Sequence, residues 1–200
     1  MFSPYFCVSK RSFLHLKQMR VISGTCKGLP LKAHKSMITR PTTDKVKESL
    51  FNIIGPYFSG GHVLDLFAGS GGLGIEALSR GADCAVFVEK SYPVSKILGQ
   101  NIAFCRLTDK AEVLVKSAKQ AIALLAGGDK QFDIVFLDPP YRIAADTIEL
   151  MEILQTENLL AKDAVIIVEH DDQVVMPMKI KEVCQFRQEK YGETRLTFYE

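Results

Sequence analysis

The sequence lacks the features that mark membrane, metal-binding and disulfide-stabilised proteins. Its apolar runs fall well short of the roughly 20 residues needed to cross a bilayer, so we expect no integral membrane segment. The five cysteines form no C-x-x-C pair, and the four histidines are scattered without metal-ligand spacing. We therefore expect no disulfide framework, no metal site and a reducing, cytoplasmic location.

Acidic residues are scarce at the amino-terminal end of the chain. Residues 1–50 contain ten Lys or Arg but only two acids, Asp44 and Glu48, for a net charge of +8. The rest of the chain holds fifteen basic and twenty-one acidic side chains, a net charge of −6. A basic extension on a mildly acidic body is typical of a protein that binds a polyanion, although a solvated basic face without a partner has the same composition.

The length of 200 residues and the 47% hydrophobic share fit one globular domain with an amino-terminal extension. Residues 1–18 are basic and weakly periodic, which predicts a disordered extension or a start codon set too far upstream. Residues 19–42 contain short strand-like pieces around glycine turns, and we predict an exposed, basic β-hairpin arm. Residues 43–200 are assigned to the main domain. That domain opens with a helix whose apolar stripe is Val46, Leu50, Ile53 and Ile54.

From residue 62 onward, the pattern predicts alternating strands and helices. The near-continuous apolar runs are typical of parallel strands buried on both faces. The predicted strands are 62–67, 84–89, 111–115, 132–137 and 163–169, and the predicted helices are 72–80, 92–104, 117–126 and 144–155. A turn at residues 190–193 then predicts a closing antiparallel hairpin. The fold class is therefore α/β with a mostly parallel sheet.

A glycine-dense turn follows the first predicted strand. Gly69, Gly71 and Gly74 match the pattern G-x-G-x-x-G, which indicates a loop for a nucleoside cofactor without specifying which one. Glu89 ends the next strand and could hydrogen-bond ribose hydroxyls in either a dinucleotide or S-adenosylmethionine. Asp65 lies inside the strand before the loop, where it suits the cationic S-adenosylmethionine better than a pyrophosphate. A carboxylate that only accepts loop amides is the structural alternative for Asp65.

A second motif, Asp138-Pro139-Pro140-Tyr141, lies directly behind the apolar run 132–137. The Asp138 carboxylate and a proline-fixed carbonyl can accept the hydrogens of an exocyclic amine, while Tyr141 stacks on the base. A strand that simply ends in a Pro-Pro turn is the structural alternative. Methyl transfer to an amine needs such a clamp and hydride transfer does not. Both motifs and Glu89 lie at carboxyl ends of strands, so we expect them to open onto one crevice.

With these motifs the chain resembles a known family, the bacterial small-subunit ribosomal RNA guanine-N2 methyltransferases (RsmD-like). The resemblance runs from Met19 to near the carboxyl terminus. It is carried by residues 19–24, 40–44, 64–71 and 137–141 and by the Tyr191-Gly192 turn. It implies a Rossmann-like class I methyltransferase with a seven-stranded sheet and S-adenosylmethionine as methyl donor. It further implies a guanine amine as acceptor, in small ribosomal subunits that are at least partly assembled.

Further site residues follow from the resemblance and from the charge pattern. Phe67 is expected at the cofactor, together with Ser117, which stands where many methyltransferases carry an acid that meets the adenine. The residues expected to hold RNA are Arg20, Lys27, Lys32, Lys35, Arg40, Thr42 and Thr43. We expect a monomer. Three alternatives stay open: an adenine-N6 methyltransferase acting on RNA or DNA, an NAD-dependent oxidoreductase, and a binding module without turnover.

Overall fold

The computed structural model describes residues 19–34, 44–139 and 144–200, in which helices and strands alternate as the sequence predicts. The helices are α1 (Asp44–Ile54), α2 (Gly72–Ser79), α3 (Tyr92–Phe104), α4 (Ala118–Leu125) and α5 (Ala144–Thr156). The strands are β1 (His62–Asp65), β2 (Cys84–Val88), β3 (Ala111–Leu114), β4 (Phe132–Leu137), β5 (Leu160–Asp171), β6 (Lys179–Ile180), β7 (Val183–Tyr191) and β8 (Thr194–Tyr199). Among these helices, none is long and apolar enough to cross a membrane.

Within the described ranges the strands form one eight-stranded sheet in the order β3-β2-β1-β4-β5-β8-β7-β6. Strands β1 to β5 pair in parallel, and β8 inserts antiparallel between β5 and β7. The predicted α/β fold and the closing hairpin are confirmed, with the hairpin turn at Gly192 (φ 65°). The prediction of seven strands missed β6, because a two-residue edge strand leaves no periodic signal.

The core lies on both faces of the sheet, because alternate residues of each strand point to opposite sides. Helices α1, α2 and α3 cover one face, where Phe51 of α1 packs against Phe136 of β4 with ring centroids 6.0 Å apart. Helices α4 and α5 cover the other face, where Ile122 and Met151 are fully buried. Strands β1 and β4 therefore lie in the middle of the sheet and are covered on both sides, which fixes their carboxyl ends.

Residues 19–34, which we call the N-terminal segment, form a hairpin closed by one antiparallel bridge between Arg20 and Pro30. The prediction that this hairpin is exposed was wrong for its apolar side. Val21 and Leu31 are 1% and 2% exposed and belong to the core on the α1–α3 face. The close docking requires glycine at residue 24, because a Cβ there would lie 1.7 Å from the carbonyl oxygen of Ser79.

A buried carboxylate, Glu76 of α2, joins the N-terminal segment to the domain. Its oxygens accept the backbone N–H groups of Ile22 (2.7 Å) and Ser23 (2.9 Å) and the Nε of Arg80 (2.8 Å). The ammonium of Lys47 on α1 lies 3.2 Å from Glu76 and donates to the carbonyl of Arg20 at 2.5 Å. Glu76 is fully buried and Lys47 is 2% exposed. Such a charge is tolerated inside a protein only when it is fully paired, so these three segments must pack together.

Glu76→Ala should lower the free energy of unfolding by about 3–5 kcal/mol, because Lys47 and Arg80 would remain as buried cations without their carboxylate. Urea denaturation followed by circular dichroism measures the change. The matched control is Glu149→Ala, which breaks an exposed ion pair with Lys119 and should cost less than about 1 kcal/mol. Equally small losses in both variants would show that the buried network does not stabilise the domain.

Candidate active site

The carboxyl ends of three neighbouring strands meet at one edge of the sheet. Asp65 ends β1, Glu89 directly follows β2 and Asp138 directly follows β4, and β1 lies between the other two strands. The structure therefore brings the glycine loop, Glu89 and Asp138 of the Asp-Pro-Pro-Tyr motif to the same edge of the sheet. This is the edge at which open α/β sheets bind ligands.

The larger cavity at this edge has a volume of about 290 Å³ and lies between β1, β2 and α4. Its apolar walls include Leu66, Phe67 and Val88, and its polar rim includes Glu89 and Ser117. Three lysines and an aspartate that sequence reasoning did not single out also border it: Lys90, Lys116, Lys119 and Asp146. An apolar slot with a few polar groups at its rim is the usual form of a small-molecule site.

The Glu89 carboxylate is held in place by backbone groups on both sides. Its Oε2 accepts the N–H of Gly69 at 3.1 Å, and its Oε1 accepts the N–H of Ser91 at 2.7 Å. Because each carboxylate oxygen can accept more than one hydrogen bond, Glu89 can also accept the hydroxyl groups of a ligand. The Glu89 carboxylate is thus hydrogen-bonded directly to the glycine loop.

A smaller cavity, about 90 Å³ in volume, is lined by residues of the glycine loop and by Asp138. Asp65 and Gly72 line it from the glycine-loop side, and Asp138 lines it from the end of β4. Phe67 borders both cavities, so the two spaces adjoin. The remaining walls are Met19, Ala33, Lys47, Ala68, Ser70 and Leu73. The N-terminal segment therefore forms part of the site, which the sequence did not predict.

Asp65 is a buried carboxylate that accepts hydrogen bonds from backbone amides of the part of the chain that the structure describes. It is 2% exposed and accepts the N–H of Gly74 at 3.2 Å, with a second amide bond from Phe67. Burial raises the pKa of Asp65 to about 7; the two amides lower this pKa, and the nearby Glu89 raises it slightly. The alternative of a carboxylate that accepts loop amides is thus part of the structure. A carboxylate that titrates near neutrality would also gain from a cation in the cavity beside it.

The three predicted glycines shape the loop but do not line either cavity. A Cβ on Gly71 would lie 2.6 Å from Leu98 Cδ1, and one on Gly74 would lie 2.3 Å from Phe87 Cε1. These two glycines let the loop pack against α3 and β2, whereas Gly69 donates its N–H to Glu89. Direct contact of the three with a cofactor stays a prediction. The glycine that borders the smaller cavity is Gly72, which the motif skipped.

Ser117 has a structural role that sequence reasoning did not include. It is the N-cap of α4 and forms a capping box with Gln120: its hydroxyl accepts the N–H of Gln120 at 3.4 Å, and its own N–H donates to the Gln120 side chain at 3.1 Å. Ser117 also borders the larger cavity. Its predicted contact with an adenine remains a prediction.

The structure describes three of the expected RNA-binding residues and two of the four clamp residues. Lys27 is exposed, Lys32 donates to Gln100 at 3.0 Å, and Arg20 forms an exposed ion pair with Asp44. Asp138 is half-buried and Pro139 is buried at the end of β4. The other predicted residues lie outside the described ranges: Lys35, Arg40, Thr42, Thr43, Pro140 and Tyr141.

The fold and this site together define a methyltransferase of the S-adenosylmethionine-dependent class. The chain belongs to the family described as Conserved hypothetical protein 95, whose model matches residues 19–200, and the RsmD-like resemblance is confirmed.

Named relatives span nearly the whole chain. YlbH of Bacillus subtilis (strain 168) is 45% identical over 181 residues, or 90% of this chain and 98% of that protein. The Escherichia coli (strain K12) protein named Ribosomal RNA small subunit methyltransferase D is 35% identical over 185 residues, or 92% and 90%. The solved structure of Escherichia coli yhhF is 34% identical with a TM-score of 0.78, and the match covers 91% of this chain and 97% of that one.

The donor set of the site fits S-adenosylmethionine, the cofactor of this class. The ligand needs a hydroxyl acceptor for its ribose and an acidic group near its ammonium. Glu89 borders the larger cavity, and Asp65 borders the smaller one. No group of three His, Cys, Asp or Glu side chains able to hold a metal ion occurs among the residues that the structure describes.

Asp65→Asn should change how stability depends on pH in the ligand-free protein. Because the folded-state pKa of Asp65 (about 7) exceeds its ordinary value of 3.8, the unfolded chain releases the proton first as pH rises. The wild type should therefore lose free energy of unfolding relative to Asp65→Asn from about pH 4 to about pH 7, and the difference should level off above that. Urea titrations at a series of pH values measure this difference. Parallel curves for the two proteins would show that burial does not hold Asp65 protonated.

Proposed function

We propose that the chain transfers a methyl group from S-adenosylmethionine to the exocyclic N2 amine of a guanine in small-subunit ribosomal RNA, on assembled or partly assembled subunits. The observation that carries this proposal is the smaller cavity, in which Asp138 of the amine-clamp motif lies beside Asp65 and the glycine loop. The relative named Ribosomal RNA small subunit methyltransferase D supports small-subunit RNA as the substrate. The N2 amine follows from the resemblance to the guanine-N2 methyltransferases.

The two adjoining cavities suggest how the cofactor is divided between them. The adenosine part fits the larger cavity, with Glu89 toward the ribose hydroxyls and Ser117 near the base. The amino-acid part fits the smaller cavity, where Asp65 would face its ammonium. Phe67 would then lie at the junction, because it borders both spaces. This arrangement directs the reactive methyl group toward Asp138.

The cofactor supplies a methyl group on a sulfonium, which is a strong electrophile, so the protein needs mainly to orient the amine. A guanine turned out of the RNA would stack on Tyr141. The Asp138 carboxylate and the Pro139 carbonyl would accept the two amine hydrogens and aim the nitrogen lone pair at the methyl carbon. The amine nitrogen would form the new C–N bond as the S–CH₃ bond breaks, and the sulfur would keep the bonding electron pair. The amine proton leaves through Asp138, which is half-buried and reaches solvent.

The function is tested by incubating the protein with labelled S-adenosylmethionine and small ribosomal subunits that lack their own methylations. The RNA is then digested and the labelled nucleoside identified. N2-methylguanosine is expected. Labelled N6-methyladenosine would show that the acceptor is an adenine rather than a guanine, and the proposed amine clamp would still stand. An unlabelled RNA, from protein that binds the cofactor in a parallel calorimetric titration, would contradict the proposed substrate.

Asp138→Ala should reduce turnover by more than about a hundredfold while cofactor affinity stays unchanged, because the variant loses the amine clamp but not the glycine loop. Tyr141→Ala should reduce kcat/KM by roughly ten- to a hundredfold, since stacking on one base contributes about 1–3 kcal/mol. Single-turnover methylation measures the loss of turnover, and calorimetric titration of S-adenosylhomocysteine measures the cofactor affinity of each variant. Asp129→Ala, in the exposed loop before β4, serves as the control and should retain wild-type turnover. Near-normal turnover by Asp138→Ala would overturn the clamp.

The exposed lysines of the N-terminal segment should bind RNA phosphates. The double variant Lys27→Ala/Lys32→Ala should bind RNA more weakly, and the slope of log affinity against log salt should become shallower by about one to two. Filter binding of a small-subunit RNA fragment at several salt concentrations measures this slope. The control Lys130→Ala/Lys162→Ala removes the same charge at the amino-terminal ends of β4 and β5. An equal change in both double variants would show that the effect comes from net charge rather than from a binding surface.

A further inference from the structure

The side-chain amide of Asn101 on α3 connects two segments that are far apart in the sequence. Its Nδ2 donates to the carbonyl of Lys32 at 2.9 Å and to the carbonyl of Ser70 at 2.8 Å. Its Oδ1 accepts the N–H of Lys32 at 2.9 Å. Asn101 is 2% exposed, so these bonds are formed in a protected interior where each has a high cost if broken. One buried amide thus joins the N-terminal segment to the glycine loop.

Both segments that Asn101 joins contribute residues to the lining of the smaller cavity. Ser70 lines the cavity itself, and so does Ala33, the residue after Lys32. The N-terminal segment meets the loop a second time at Met19, whose Sδ would lie 3.2 Å from a Cβ on Gly72. A ligand in this cavity would therefore touch two segments that the Asn101 side chain joins.

The same amide lies outside the machinery already described. Asn101 borders neither cavity, and its side chain points to backbone groups instead of to a ligand. Leu98 of α3 also packs against the loop, since a Cβ on Gly71 would lie 2.6 Å from Leu98 Cδ1. Asn101 is therefore in a position to fix the glycine loop without contacting the ligand.

We propose that Asn101 is a positioning residue that couples cofactor binding to the N-terminal segment, so that the cofactor and RNA bind with positive cooperativity. This inference rests on the proposed function, since it takes the smaller cavity as part of the cofactor site and Lys27 and Lys32 as RNA contacts. A cofactor that fixes Ser70 and Ala33 also fixes Lys32 through the amide. An RNA phosphate bound to the N-terminal segment fixes Lys32 and, through the amide, Ser70. By thermodynamic linkage, RNA must then raise the affinity for the cofactor by the same factor as the cofactor raises the affinity for RNA.

The chemistry of the position requires an amide. Both Nδ2 hydrogens are donated to carbonyl oxygens, and the oxygen accepts an N–H. An aspartate has the same shape but cannot donate, and its charge would face the carbonyls of Lys32 and Ser70. The neighbouring Gln100 is exposed and accepts a hydrogen bond from the Lys32 side chain, so it provides a matched control on the same helix.

The first test is hydrogen–deuterium exchange of the full wild-type chain with and without S-adenosylhomocysteine. Bound ligand should slow exchange of the Lys32 amide and its neighbours in the N-terminal segment by about fivefold or more. A ligand that binds, as shown by calorimetry, without slowing exchange there would overturn the inference and leave the proposed function standing. Failure of the wild type to bind the ligand at all would overturn both.

The second test compares Asn101→Asp with Gln100→Ala in the same two measurements. Asn101→Asp should weaken S-adenosylhomocysteine binding about tenfold and abolish the slowed exchange, whereas Gln100→Ala should behave as the wild type. A residue with a merely structural role would lower thermal stability but leave the ligand-dependent protection in place, and that result would overturn the inference.

A third test does not depend on whether Asn101→Asp folds. The affinity of the wild type for S-adenosylhomocysteine is measured with and without a saturating small-subunit RNA fragment. RNA should raise this affinity about fivefold or more, and equal affinities would contradict the coupling.

Discussion

The buried carboxylate of Glu76 is the interaction on which the rest of the structure depends. A charge in a protein interior must be neutralised and hydrogen-bonded, and Glu76 takes its partners from the N-terminal segment, from α1 and from the end of α2. If α1 moved away, Lys47 and Glu76 would lose their ion pair, and if the N-terminal segment moved away, Glu76 would lose two backbone hydrogen bonds. Because Lys47 also borders the smaller cavity, the same network that stabilises the core defines one wall of the site.

The second constraint is the arrangement of the sheet. Since β1 lies between β2 and β4, the residues that end or follow these strands are neighbours, although they come from separate parts of the sequence. Asp65, Glu89 and Asp138 meet for this reason. The glycine loop and Asp138 therefore line the same cavity. Asn101 and Glu76 then attach the N-terminal segment to that edge at two independent points.

Much of the fold and part of the site could be predicted from the sequence. Buried parallel strands leave long apolar runs, and β4 was predicted with its observed bounds of 132–137. Lys47 could not be found in this way, because a lysine within an apolar helix is normally read as a solvated side chain and its partner Glu76 lies 29 residues away. The glycine pattern predicted the turn that joins β1 to α2, but it could not show that Gly71 and Gly74 face protein atoms. Tertiary packing decides such roles, and it leaves no local periodicity.

The central claim is that one crevice holds both the methyl donor and the target amine. A crystal structure of the full chain with bound S-adenosylhomocysteine tests it most directly, because the position of the ligand sulfur marks where the methyl group leaves. We predict the ribose at Glu89, the amino-acid part beside Asp65 and the sulfur facing Asp138. A ligand bound with its sulfur directed away from Asp138, or outside the two cavities, would contradict the account.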